Sequence, residues 1–181
     1  MMRPSRLVRV ATVPGREPYF GSTGRNRFDA PGCPGLPEYS TCYFGTSLAV
    51  AIAETVLHDE IPVDGEFHIS TQTLNDKYVL HFRGRQLRLA DMTGAQLKRL
   101  GGTAELAGTA DYAVTQAWAL AVYTNPGNFD GFVYMSRHFN TNQAVVLFNR
   151  AVKKITLKSS EKLTGANGFA QAAALFRISA A

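Results

Sequence analysis

In TCYFGTSLAVAIAETVLHDE, Thr41 to Glu60, a strand hands over to a helix. The aromatic and β-branched residues of Thr41–Gly45 suit an extended chain, and Thr46 or Ser47 supplies a helix N-cap. From Leu48 to Ala53 every residue is Leu, Ala, Val or Ile; Glu54 interrupts, and Val56 and Leu57 resume the apolar run. Asp59 and Glu60 come only where the helix is ending. On a helix Glu54 shares a face with Val50, Ala51, Leu57 and His58. A helix that is apolar nearly all round is buried on most sides, and a carboxylate there is costly unless a cation or hydrogen-bond donors meet it. Two readings stay open. Glu54 lies on one wet stripe beside His58, or it points into a polar cleft whose chemistry needs it.

Outward from this stretch, Leu7–Val13 alternates as a strand does, and Pro14–Ser40 is a long loop rich in Gly, Pro, Asn and Asp. Beyond Pro62, β-type runs are expected at Phe67–Ser70, Tyr78–Phe82 and Leu87–Ala90, followed by helices at Gly94–Leu100 and Ala110–Thr124. Asn125-Pro126-Gly127 stops the second helix. Strands are expected at Gly131–Met135, Ala144–Phe148 and Val152–Leu157, and the C-terminal GFAQAAALFRISA reads as helix or strand, with helix preferred. Strands and helices mix without βαβ regularity, which implies an α+β fold. At 181 residues the expectation is a single domain, long enough to bury roughly 70% of its unfolded surface.

Apolar residues make up 45% of the chain and charged residues 18%, as in a globular domain and unlike a disordered tail. No apolar run reaches the ~18 residues of a membrane span, and MMRPSRLVRV lacks the apolar segment of a signal peptide. Two cysteines, Cys33 and Cys42, make no disulfide framework or zinc motif, so a cytoplasmic home is expected. The net charge of +5 comes from scattered Lys and Arg, with no basic arm or nucleic-acid motif. It suits steering of a small anion equally well. The histidines His58, His68, His81 and His138 form no HxH or HExxH pattern, so no metal site is expected.

Further polar groups stand at places where sites are built. GRNRFD, Gly24 to Asp29, puts Arg25 and Arg27 in the long loop, and GFVYMSRH, Gly131 to His138, ends a strand in Ser136, Arg137 and His138. Together the pieces resemble the RES-domain family, named for its arginine, glutamate and serine. The residues that carry the resemblance are Arg27-Phe28-Asp29 with Pro31-Gly32, Tyr43 on a short strand, Glu54 on the next helix, and Tyr134-Met135-Ser136-Arg137. Thr115–Ala119 is similar to the helix that precedes the serine strand in that family. The likeness covers about residues 20 to 150.

The resemblance implies a split mixed sheet with flanking helices, similar to ADP-ribosyltransferase toxins, with a cleft for NAD as substrate and no catalytic cofactor. It implies an NAD-degrading toxin that cleaves the nicotinamide–ribose bond by hydrolysis or phosphorolysis, paired with a separately encoded Xre-type antitoxin. Transfer of ADP-ribose to a protein, or a basic RNA-cleaving toxin, are the alternatives. Breaking that bond builds positive charge on the ribose, so Glu54 would stabilise it or hold the ribose hydroxyls. Arg27 would fork onto the pyrophosphate, with Arg25 its near neighbour. Tyr43 would stack on nicotinamide while its hydroxyl meets the ribose. Ser136 would bond the ribose or orient Glu54, and Arg137 and Asn142 would support the phosphates or the residues that hold the site from behind. Each has a plainer alternative: a surface arginine, a core tyrosine, a satisfied strand-end serine.

Overall fold

In the computed structural model, which describes residues 1–181, the long segment between β1 (Val8–Ala11) and β2 (Thr41–Gly45) holds only a short 3-10 turn at Pro14–Arg16 and a bridge from Gly21 to Thr41. β2 leads into α1 (Leu48–Ala53), whose Ser47 cap accepts the Val50 N–H at 3.3 Å. α1 is shorter than its apolar run suggests. The N–H groups of Thr55, Val56 and Leu57 all turn back onto the Ile52 carbonyl, which closes the helix in a tight turn. Val56 and Leu57 bury behind that turn, while Glu54 becomes the C-cap.

The chain continues through β3 (Phe67–Ile69), α2 (Thr71–Asn75), β4 (Tyr78–Gly84), β5 (Leu89–Asp91), α3 (Gly94–Arg99) and α4 (Glu105–Gly108). Then come α5 (Tyr112–Thr124), β6 (Gly131–Met135), β7 (Gln143–Phe148), β8 (Ile155–Lys162), α6 (Phe169–Phe176) and β9 (Ile178–Ala180). Seven strands form one mixed sheet in the order β5-β6-β7-β2-β1-β4-β8, and β3 pairs with β9 in a second, two-stranded one. Only β5–β6 is parallel in the large sheet, because α3, α4 and α5 carry the chain across between them. This is the mixed α+β arrangement with flanking helices that the sequence predicts.

Alternation along the strands divides the core. Cys42, Phe44, Val145, Leu147, Leu80 and Phe82 pack on one face with Leu7 and Leu87. Val146, Phe148, Phe132 and Tyr134 pack on the other, beneath α5 and the loop aromatics Phe28 and Tyr39. Further along that second face α1, α2 and α6 cover Val10 and Val79. Gly45 lets α1 start against the sheet, since a Cβ there would stand 2.6 Å from the Ala51 nitrogen.

Two local expectations change. Asn149–Lys154 is a 3-10 turn, and the last strand of the large sheet starts at Ile155 and runs to Lys162. Its extent is set by pairing with β4, from Tyr78↔Lys162 to Gly84↔Ile155, a long-range constraint that the polar composition of Ser159–Lys162 hides. At the C-terminus the expected helix forms, but Ile178–Ala180 peels off as β9 beside β3.

Candidate active site

A cavity of about 370 Å³ opens among β2, the end of α1, the Tyr19–Phe28 part of the long loop, and the turn after β6. Its wall includes Arg27, Tyr43, Glu54, Tyr134 and Arg137. The shortening of α1 explains how Glu54 reaches it: one residue past the last apolar helical position, the side chain emerges into the cavity.

Glu54 makes no ion pair. Its one protein partner is Ser136, whose hydroxyl donates to Oε1 at 2.5 Å. Ser136 is wholly buried, and its Oγ also accepts the Phe139 N–H at 2.9 Å. The serine therefore orients the carboxylate from behind and is not itself exposed to a ligand. Glu54 also sits at the C-terminal end of a helix, where the dipole disfavours negative charge. Ser136 is its hydrogen-bond partner within the protein, and the carboxylate lines the cavity and not a bare wet stripe.

Arg27 is half-buried, and its guanidinium donates to the Thr109 carbonyl at 3.1 Å and lies 5.4 Å from the centre of the Tyr112 ring. Thr115, fully buried on α5, donates to the Arg27 carbonyl at 2.5 Å, and Gln116 donates to the carbonyls of Gly24 and Asn26. The helix Thr115–Ala119 thus holds the arginine loop in place. Within that loop Asp29, with no exposed surface, accepts from Thr41 at 2.6 Å and from the side chain and backbone of Asn26. Arg9, Arg25, Arg27 and Arg137 all line the cavity, against the single carboxylate Glu54. Arg9 is held by Glu17 at 3.0 Å, whereas Arg25, Arg27 and Arg137 have no acidic partner. The charge lining the cavity is therefore predominantly positive.

Two of the candidate residues are engaged within the protein. The Tyr43 hydroxyl is already engaged, accepting the Phe28 N–H at 3.0 Å and donating to Asp29 at 3.5 Å. Burial, then the Asp29 charge, push its pKa well up, and the residue as a whole lines the cavity. Asn142 does not line the cavity: its amide donates to Thr141, and its carbonyl accepts the Ser136 N–H at 2.9 Å. Its part is to fix the turn that carries Ser136.

Tyr134 belongs to the strand-end motif named above but is assigned no role there. It is 4% exposed, lines the cavity and lacks a protein partner for its hydroxyl. Burial and then the Glu54 charge push its pKa well up, while Arg27 acts against them. The signal was present, because residues 134 and 136 share a strand face. At the mouth, the His58 and His138 rings lie 4.5 Å apart. Burial holds the His138 pKa below the ordinary value, against the opposing pull of Glu54.

The RES domain family model matches residues 6–164. No curated protein sequence matches the chain. Among solved structures, a chain of the M. tuberculosis MbcT–MbcA toxin–antitoxin complex is similar with a TM-score of 0.62 at 15% identity, covering 94% of this chain and 87% of that one. Likeness at that identity concerns the fold.

Proposed function

The chain belongs to the RES-domain family, and on that premise we propose that it binds NAD in this cavity and cleaves the nicotinamide–ribose bond. The observation that carries the reading is Glu54: an unpaired carboxylate, held by a buried serine, in a cavity whose other charges are arginines. As the C1′–N bond breaks, its electron pair goes to the nicotinamide nitrogen and positive charge grows on the ribose. Glu54 faces that charge in a partly water-excluded site. Nicotinamide leaves neutral, so no second acid is needed. An acceptor oxygen then bonds C1′ and loses its proton. Arg27, with no acidic partner and a fork suited to phosphate oxygens, takes the pyrophosphate, and Arg137 extends the cationic rim. Tyr43 and Tyr134 also line the cavity. A volume near 370 Å³ falls within the range of small-molecule sites.

On this reading residues 1–181 act as one domain, a toxin restrained by a separately encoded Xre-type antitoxin. Family membership and a fold similar to a chain of a toxin–antitoxin complex support this. The test is free nicotinamide released from NAD by the purified chain, with and without phosphate. Release in plain buffer identifies hydrolysis, and release that needs phosphate identifies phosphorolysis. No release under either condition, with or without a protein acceptor, overturns the proposal.

A further inference from the structure

Glu54, His58 and His138 each bring one ligand atom within 4.8 Å of the other two. We propose that these side chains form a zinc-binding site at the mouth of the cavity, and that bound Zn²⁺ silences the centre by taking Glu54 as a ligand. The binding half stands by itself; the silencing half rests on the NAD-cleaving reading.

The donor set selects the ion. Two imidazoles and one carboxylate suit zinc, with a remaining position for water or an anion. Mg²⁺ and Ca²⁺ prefer all-oxygen surroundings. The carboxylate is already oriented as a ligand should be, since Ser136 holds Oε1 and leaves Oε2 free; hydrogen bonds of this kind position metal ligands. His58 and Glu54 are four residues apart across the tight turn that closes α1, and His138 arrives on the loop after β6. No local motif announces a set split in this way between positions 58 and 138.

Donors bound at about 2.0–2.1 Å in a tetrahedral site lie roughly 3.3 Å from one another, so the three must draw together. His58 can supply that movement. Its side chain is 47% exposed and touches an acid only at Asp59, 3.8 Å away, while Val56 and Leu57 behind it stay buried. Opposing the cation are Arg27 and Arg137, close enough for their charges to be felt at His138. Their presence weakens the hold on a cation, so the site is a responsive one and not a permanent structural zinc.

The experiment uses the full chain after treatment with a chelator. Zn²⁺ is titrated calorimetrically, and Co²⁺ is added in parallel for its visible absorption. One equivalent should bind, with a cobalt spectrum of low coordination number. His58→Gln and His138→Gln should each weaken binding roughly tenfold or more, with the melting temperature confirming that both variants fold. Absence of stoichiometric binding, or binding indifferent to both substitutions, overturns the site. Nicotinamide release is then compared with and without Zn²⁺ inside each variant. Inhibition in the original chain and its loss in the variants is expected. Stoichiometric zinc without inhibition of an active chain overturns the silencing. A chain that binds zinc at these residues but cleaves no NAD keeps the site and refutes only the NAD reading.

Discussion

At the scale of single residues, the site depends on side chains that hold other side chains. Ser136→Ala removes the donor to Glu54 and the acceptor for the Phe139 N–H together. A stability loss of about 1–3 kcal/mol is expected from the groups left unpaired, with turnover reduced more than NAD affinity. Unchanged turnover would mean that Glu54 keeps its position unaided. His138 offers a pH test. Its folded pKa lies below the ordinary 6.5 through burial and the charges of His58, Arg137 and Arg27, with Glu54 pulling the other way. The unfolded chain therefore binds the proton first, and stability is lost as pH falls from about 6.5 through the folded pKa. His138→Gln removes that component, so its stability relative to the original chain should rise between pH 7.5 and pH 5, as read by denaturant midpoints. Parallel pH profiles would contradict the assignment. Much of this layer was legible. Arg27, Tyr43, Glu54 and Arg137 all line one cavity, because the loop, strand, helix end and strand end that carry them are each marked by local composition. The destination of the Tyr43 hydroxyl was not legible, since it depends on Asp29 folding back beneath β2, a contact that pairing within the loop creates.

At the scale of elements, the site hangs on packing from outside the family-matched residues. Phe139, in the turn that carries Ser136 and His138, meets Phe176 of α6 edge to face, with centroids 5.2 Å apart. α6 in turn packs on α1 through the cluster that holds Ala172, Val56 and Leu57. Phe176→Ala should cost about 1–2 kcal/mol for a half-buried aromatic, and should also lower turnover by loosening the Ser136 turn. Thermal melts and nicotinamide release measured together check this; a stability loss with full activity would show that α6 is only a cover. The sequence marked α6 weakly and missed β9 and the true span of β8. The helix starts of α1, at Ser47, and α5, at Asp111, carry side-chain caps that bind backbone N–H groups and so are written locally. β8 and β9 exist because of partners 70 or more positions away; for such strands, local propensity says little.

At the scale of the whole molecule, the same positive balance that raised the question of nucleic acid has a local expression. Three arginines without acidic partners gather at one cavity, beside the Glu17-paired Arg9. No helix is long and apolar enough to cross a membrane. An NAD-consuming chain free among bacterial metabolites would drain a pool on which all of metabolism draws. Expression without a partner should therefore arrest growth and deplete NAD, and co-expression of the cognate antitoxin should restore both. High expression with an unchanged NAD pool would contradict the proposed function.

On the proposed function, the carboxylate breaking the apolar run of α1 is there for chemistry. Glu54→Gln keeps the size and can still accept the Ser136 hydroxyl, but removes the charge that faces the ribose. Nicotinamide release should fall about 10²–10³-fold, while the melting temperature stays equal or rises, because glutamine keeps the Ser136 hydrogen bond and the charge removed sits at a helix C-terminus with no ion-pair partner. Normal nicotinamide release from a variant with a clearly lowered melting temperature would contradict this, and would make Glu54 a structural residue.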